Sequence, residues 1–274
     1  MEQTERKPSY SSLGNALKML KCFTMDEPEL NITELAGKLG VGMSTAHRLA
    51  STLVIEGFLS KDPNTKMYRP GVSILSLGNI VDMQIDRFHS YTPILETLME
   101  QTSETVHLGV LRSDSIVYLH KIESNHPIRL HSHKGQFIPV HCTSSGKVFL
   151  AYLPMQEVER IVAKGLPRYT SKTVTTRKDL MRQIELTRSQ GFAVSEEEFL
   201  EGVISIAAPI FNRFGKVVAA LNIAGPSKRL RGIAMPRLQK LVVESARQIS
   251  ARLQHDQRSN AQAASRLVQS KKEP

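Results

Sequence analysis

The chain has 274 residues, 41% hydrophobic and 23% charged, long enough for two domains with cores of their own and ordinary for a soluble globular protein. No stretch approaches the ~18 apolar residues of a membrane span, and the polar start from Met1 to Pro8 is unlike a signal peptide. Cys22 and Cys142 carry no CxxC spacing and read as free thiols of a reducing cytosol, so a cytoplasmic location is expected. The net charge of +10 is unevenly spread. Residues 1–80 hold 9 Lys and Arg against 8 Asp and Glu, while residues 205–274 hold 13 against 3. Any nucleic-acid contact near the start therefore rests on local clustering, not on bulk charge.

In chain order, Leu13, Ala16, Leu17 and Leu20 recur at i, i+3, i+4, i+7, as do Ile32, Leu35, Ala36 and Leu39, and then Ala46, Leu49, Ala50 and Leu53. Each set predicts a helix with one apolar stripe. Asn31 with Glu34 three residues on predicts a capping box. Gly40-Val41-Gly42 gives a sharp turn between the second and third helices. The segment Gly57–Lys61, a turn at Asp62-Pro63-Asn64-Thr65 and the segment Lys66–Arg69 predict a β-hairpin. Three helices, a tight turn and a hairpin describe a winged helix-turn-helix.

Ile74, Leu77, Val81, Ile85 and Phe88 form a seam near heptad spacing, read as a linker helix that takes part in dimerisation, although packing onto its own chain is an equal alternative. From about Ser90 the pattern becomes mixed: a helix from Pro93, strands at Thr105–Leu111, Ile116–Ile122 and Ile128–His133, and a helix from near Ser145 through Tyr152. A helix at Lys178–Gln190 ends at Gly191. Strands at Val203–Pro209 and Val217–Ile223 precede a last helix after Pro236, and a polar tail from about Gln254 is expected to be disordered.

If the third helix buries Ala46, Leu49, Ala50 and Leu53, it turns Ser44, Thr45, His47, Arg48, Ser51 and Thr52 outward, with no carboxylate before Glu56. An Arg takes two guanine acceptors in a major groove, and hydroxyls reach phosphates or base edges. The N-terminal half of such a helix meets the bases. Thr33, Ser44, Thr45, His47, Arg48 and Ser51 are the candidate contacts to a double-stranded DNA operator, with Lys61, Lys66 and Arg69 on the wing for phosphates or a minor groove.

The runs Ile32-Thr33-Glu34-Leu35-Ala36, Ser44-Thr45-Ala46-His47-Arg48-Leu49 and Gly57-Phe58-Leu59 closely resemble the DNA-binding domain of IclR-type bacterial regulators. The resemblance continues through Glu104-Thr105-Val106-His107-Leu108-Gly109, Ile138-Pro139-Val140-His141, Ser145-Gly146-Lys147, Glu196-Glu197-Glu198, Gly202-Val203 and Ile206-Ala207-Ala208-Pro209-Ile210, covering nearly the whole chain in the family's order. It implies an α+β protein: a winged helix-turn-helix domain at 10–71, a linker helix at 72–89, a GAF-like α/β effector-binding domain at 90–254 and a tail at 255–274. It also implies a homodimer or tetramer and a small-molecule effector. By motif position the effector pocket is lined by Leu130, Ile138, Ser144, Ser145, Ser195, Ser205, Asn222 and Ala224. Ser195 stands where the family often has an acidic residue and Ser205 where it often has Cys, so an effector cannot be carried over from a relative.

Ser144-Ser145-Gly146-Lys147 at a helix start offers backbone N–H groups, hydroxyls and the positive end of a helix dipole, which favours an anion; a well-capped structural helix is the plainer alternative. A small carboxylate such as a sugar acid is expected, with an aromatic acid second. Val148 and the absence of a glycine at His141 set a P-loop aside. His131, His133, His141 and Cys142 are residue types a metal accepts, but their spacing matches no strong zinc signature, and no metal or cofactor is assigned. Glu196, Glu197, Glu198 and Glu201 read as a solvated acidic loop, one of which could face the pocket. The reading is a ligand-responsive repressor of a catabolic operon, not an enzyme. An enzyme acting on a small acid and a purely architectural DNA protein are the rivals.

Overall fold

The structure, a computed structural model, describes residues 11–85, 90–126, 132–232 and 234–270, without the side chains of 82–85 and 257–270. The chain divides into two compact units, Met1–Arg87 and Phe88–Pro274.

The first unit holds α1 (Ser12–Leu20), α2 (Ile32–Leu39), α3 (Met43–Ile55), the hairpin β1 (Leu59–Lys61) and β2 (Tyr68–Pro70), and α4 (Val72–Ile85). Asn31 Oδ1 accepts from the Thr33 and Glu34 amides while the Asn31 amide donates to Glu34 Oε2, so the capping box closes. Gly40 ends α2 at φ +66°, a left-handed conformation that suits glycine, and α3 begins three residues later at Met43. The stripes of α2 and α3 meet in a core of Leu35, Ala36, Ala46, Leu49, Ala50 and Leu53, closed by Met19, Leu30, Leu59 and Tyr68. The α1 stripe differs from expectation. Met19 is its buried residue, Ala16 and Leu20 are half-buried, and Leu13 and Leu17 are 69% and 53% exposed. Periodicity locates an apolar face; it does not say that the same chain covers it.

On α4, Leu75, Leu77, Ile80 and Val81 are all more than half exposed and Ile74 is half-buried. Phe88 and the side chain of Ile85, the end of the expected seam, lie outside the described residues.

The second unit is a six-stranded antiparallel sheet in the order β5-β4-β3-β8-β7-β6. Its strands are β3 (Thr105–Arg112), β4 (Ser115–Ile122), β5 (Phe137–Pro139), β6 (Ala193–Glu196), β7 (Val203–Phe211) and β8 (Val217–Pro226). Its helices are α5 (Thr92–Thr102), α6 (Ser144–Tyr152), α7 (Met155–Ala163), α8 (Arg177–Gln190), the short α9 (Ser227–Leu230) and α10 (Ala234–Ser270). Side chains alternate across the sheet. Val106, Leu108, Ile204, Ile206 and Ile223 point to the face covered by α5 and α10, while Tyr118, Ala193, Ala207 and Ala220 pack with α6 and α8. The small residues on that second face leave room above the sheet. Helix α6 also begins very close to β5: a Cβ on Gly146 would lie 2.1 Å from Val140 O, so only glycine fits there.

Five elements depart from the sequence reading. The strands β5 and β6 are only three and four residues long, too short for a period to register, and α7, which buries Val158 and Ile161, is not among the expected helices. Of the expected strand at Ile128–His133, residues 128–131 lie outside the described residues, and Ser132 and His133 have no regular structure before the turn at Lys134-Gly135. Finally, α10 continues to Ser270 where a disordered tail is expected. The segment is polar but rich in Gln, Arg, Ala and Leu, all good helix formers, and it extends a helix already nucleated by packing.

Candidate functional site

On α3 the outward residues stand as helical geometry requires. Ser44, His47, Arg48, Ser51 and Thr52 are exposed and Thr45 is half-buried, while Thr33 is exposed at the start of α2. The Arg48 guanidinium makes one long hydrogen bond to Ser12 Oγ, at 3.4 Å. Thr52 Oγ1 turns back onto the Arg48 carbonyl, which leaves the first two turns to supply reading groups. Lys61, Lys66 and Arg69 are exposed on the hairpin. Asp62 Oδ1 organises its turn by accepting from the Asn64 and Thr65 amides at 2.8 Å each. Lys61 lies over the Tyr68 ring, Lys66 donates to the Pro63 carbonyl and Arg69 faces Glu29 at 3.5 Å. A surface pair of that kind contributes ~0–1 kcal/mol and yields to a phosphate. The face is thus a basic, hydroxyl-bearing surface on an otherwise neutral unit.

In the second unit a half-enclosed recess with about 510 Å³ of empty space, counting its mouth, opens above the small-residue face of the sheet. His107, Tyr118, Ser132, Gln136, Ile138 and Thr143 line it from β3 to the start of α6. Ser195, Ser205, Ala224, Val203, Phe199 and Leu200 line it from β6, β7, β8 and the loop joining β6 to β7. The register explains why Ser195, Ser205 and Ala224 converge: Ser195 pairs with Ser205, and Ser205 with Ala224. Of the residues expected there, Ile138, Ser195, Ser205 and Ala224 line the recess. Ser144 is one step behind, donating to Ser205 Oγ at 2.8 Å. Ser145 is fully buried, its Oγ without a partner among the described residues. Asn222 is buried behind His107, and Leu130 lies outside the described residues. Thr143 caps α6 by accepting from the Gly146 amide.

His107 was not among the expected residues. Strand register sets it opposite Asn222, whose Oδ1 is 3.1 Å from Nδ1, and Ser132 Oγ is 2.8 Å from Nε2; the ring stacks on Tyr118 with centroids 4.1 Å apart. Burial, with some help from the Lys121 charge, pushes the His107 pKa down to about 3, and burial pushes that of Tyr118 up to about 12. The stability consequence has a definite sign. An unfolded imidazole takes its proton near pH 6.5, so between pH 6.5 and about 3 the unfolded chain binds more protons and stability falls as pH falls. Wild type should lose about 2 kcal/mol more than His107→Gln between pH 7.5 and 5.0. Urea unfolding at the two pH values measures this, and equal losses would mean that the imidazole is charged or exposed.

The acidic run also differs from the reading of a solvated loop. Glu197 pairs with Lys172 and Arg231, but Glu198 is buried and meets the fully buried Lys147 at 2.5 Å. Lys147 Nζ also donates to Val194 O at 3.1 Å, and burial lowers its pKa against the pull of Glu198. Thr170 and Thr173 hydroxyls donate to the Glu197 and Glu198 carbonyls, pinning the loop that carries Phe199 and Leu200. Of the suspected metal cluster, His131 lies outside the described residues, His133 is exposed and His141 donates to the Pro167 carbonyl. Among the described residues no group of three or more His, Cys, Asp or Glu is placed to hold a metal, and no helix is long and apolar enough to cross a membrane.

Comparison with known proteins covers both units. Residues 81–251 match the family described as Bacterial transcriptional regulator IclR C-terminal, and residues 12–63 match the IclR helix-turn-helix domain. The HTH-type transcriptional regulator KdgR of Escherichia coli (strain K12) is 34% identical over 230 residues, 83% of this chain and 87% of that protein. The Transcriptional repressor IclR of the same organism is 29% identical over 242 residues, 87% and 88% of the two chains. The crystal structure of an IclR-type regulator from Alicyclobacillus acidocaldarius superposes with a TM-score of 0.76 at 29% identity, covering 89% of this chain and 98% of that one. These relatives are transcriptional regulators, not enzymes. The chain belongs to the IclR family of bacterial helix-turn-helix transcriptional regulators.

Proposed function

We propose that this regulator is a repressor of a catabolic operon, released from its operator by a small carboxylate such as a sugar acid. In this reading residues 10–71 read DNA, 72–89 link two copies and 90–254 sense the effector. Repression accords with the name of the relative called a transcriptional repressor. The carboxylate rests on one observation: Thr143, the N-cap at the positive end of the α6 dipole, lines the recess, and no Asp or Glu is among the described lining residues. A carboxylate there gains the positive end of the helix dipole and hydroxyl donors without repulsion from a like charge. Assembly as a homodimer or tetramer rests on Leu75, Leu77, Ile80 and Val81, an exposed apolar surface on α4 that a second copy would cover.

The test is binding of the full-length protein to its own upstream DNA with excess competitor DNA, repeated with sugar acids and aromatic acids and with the amide of each acid. At least one acid should weaken binding tenfold or more while its uncharged amide does not. Release by amides alone would overturn the carboxylate, and tighter binding with the acid would overturn repression.

A further inference from the structure

The hydrogen-bond polarity of the recess can be followed atom by atom. Asn222 Oδ1, which can only accept, lies 3.1 Å from His107 Nδ1, so Nδ1 carries the proton. With the ring neutral, Nε2 is an acceptor, and the Ser132 hydroxyl must donate to it. Ser132 is held a second way, its carbonyl accepting from Lys121 Nζ at 2.7 Å. With its proton so committed, Ser132 Oγ offers the recess only lone pairs. Ser195 is in the same state, because its hydroxyl donates to the Cys142 carbonyl at 2.9 Å. Ser205 is the opposite: it accepts from Ser144, and its own proton stays available to a ligand.

We propose that the Asn222–His107–Ser132 relay fixes Ser132 as a hydrogen-bond acceptor and thereby selects effectors that carry a hydroxyl donor at that end of the recess. Ser132 is the specificity residue and His107 the positioning residue. The proposal rests on the reading that the recess is the effector site, and it narrows the effector from a carboxylate to a hydroxylated one. An unhydroxylated acid of the same length would leave the Ser132 and Ser195 lone pairs buried without donors, the situation that lets a polar site reject a deoxy analogue.

Calorimetric titration of the full-length protein with gluconate, hexanoate and glucitol tests it. Gluconate should bind at least tenfold more tightly than hexanoate. Ser132→Ala should weaken gluconate about three- to tenfold and leave hexanoate unchanged. His107→Leu should lower the gluconate-to-hexanoate ratio similarly, and adding Ser132→Ala should lower it no further, the signature of two residues acting through one contact. Nitrogen-15 spectra of the imidazoles provide a readout that needs no ligand and survives failure of either variant: His107 should carry its proton on Nδ1 alone.

Hexanoate binding as tightly as gluconate would overturn the relay while leaving the carboxylate reading intact. Glucitol binding without gluconate, weakened by Ser132→Ala, would remove the carboxylate and uphold the relay. A proton on His107 Nε2 overturns the relay whatever binds, and binding by none of the three overturns both.

Discussion

Lys147→Met should destabilise the second unit by about 3–5 kcal/mol, the usual cost of stranding one partner of a buried ion pair. Lys147 is fully buried and Glu198 nearly so, and Oε2 of Glu198 has no hydrogen-bond partner among the described residues even with the lysine present. Remove the ammonium and the carboxylate keeps its burial without its counter-charge. The expected counterpart is that Lys147→Met/Glu198→Leu recovers most of the loss, because a packed apolar pair needs no desolvated charge. Urea unfolding of the three proteins measures both effects. A loss below about 1 kcal/mol in the single variant would mean that Glu198 reaches water. The double variant has a further use. It should keep the unit folded while freeing the β6–β7 loop from α6, thereby separating stability from effector response.

Arg48→Ala should weaken specific operator binding about 5- to 150-fold, corresponding to the ~1–3 kcal/mol of a bidentate guanine contact, with fold stability changed by less than about 0.5 kcal/mol. The side chain is exposed and its hydrogen bond to Ser12 is long, so little is lost within the unit. Lys66→Ala is the control. It should weaken binding to operator and unrelated duplex alike and reduce the salt slope by about 1. Fluorescence anisotropy with both duplexes at several salt concentrations tells the two effects apart. Equal loss on both duplexes for Arg48→Ala would reassign that arginine to a phosphate.

Local signals were the legible ones. Asn31 with Glu34, Gly40 at its left-handed position and the stripes of α2 and α3 all lie within a few residues of their partners, and their physics is that of a single helix or turn. The start of α6 was readable for the same reason. What escaped are pairings across long stretches of chain. His107 meets Asn222 over 115 residues and Lys147 meets Glu198 over 51, and nothing in a run of three glutamates distinguishes the buried one. Ser195, Ser205 and Ala224 came from resemblance to a family, and only the strand register explains physically why they share a wall. Leu13 and Leu17 mark the same boundary from the other side: their spacing is that of a core stripe, yet they face outward.

The candidate operator contacts all fall between Thr33 and Arg69, and the described recess residues between His107 and Ala224, so no helix or strand serves both. On the proposed assignment of the two sites, small changes at Ser132, Ser195 or Ser205 would retune what the protein senses without touching which promoter it occupies, and changes at Ser44 or Arg48 would do the converse. Under that assignment a lineage carrying such a gene would acquire a new effector and keep its old regulon, or move to a new promoter with its effector intact, each by a few substitutions confined to one half of the reading frame.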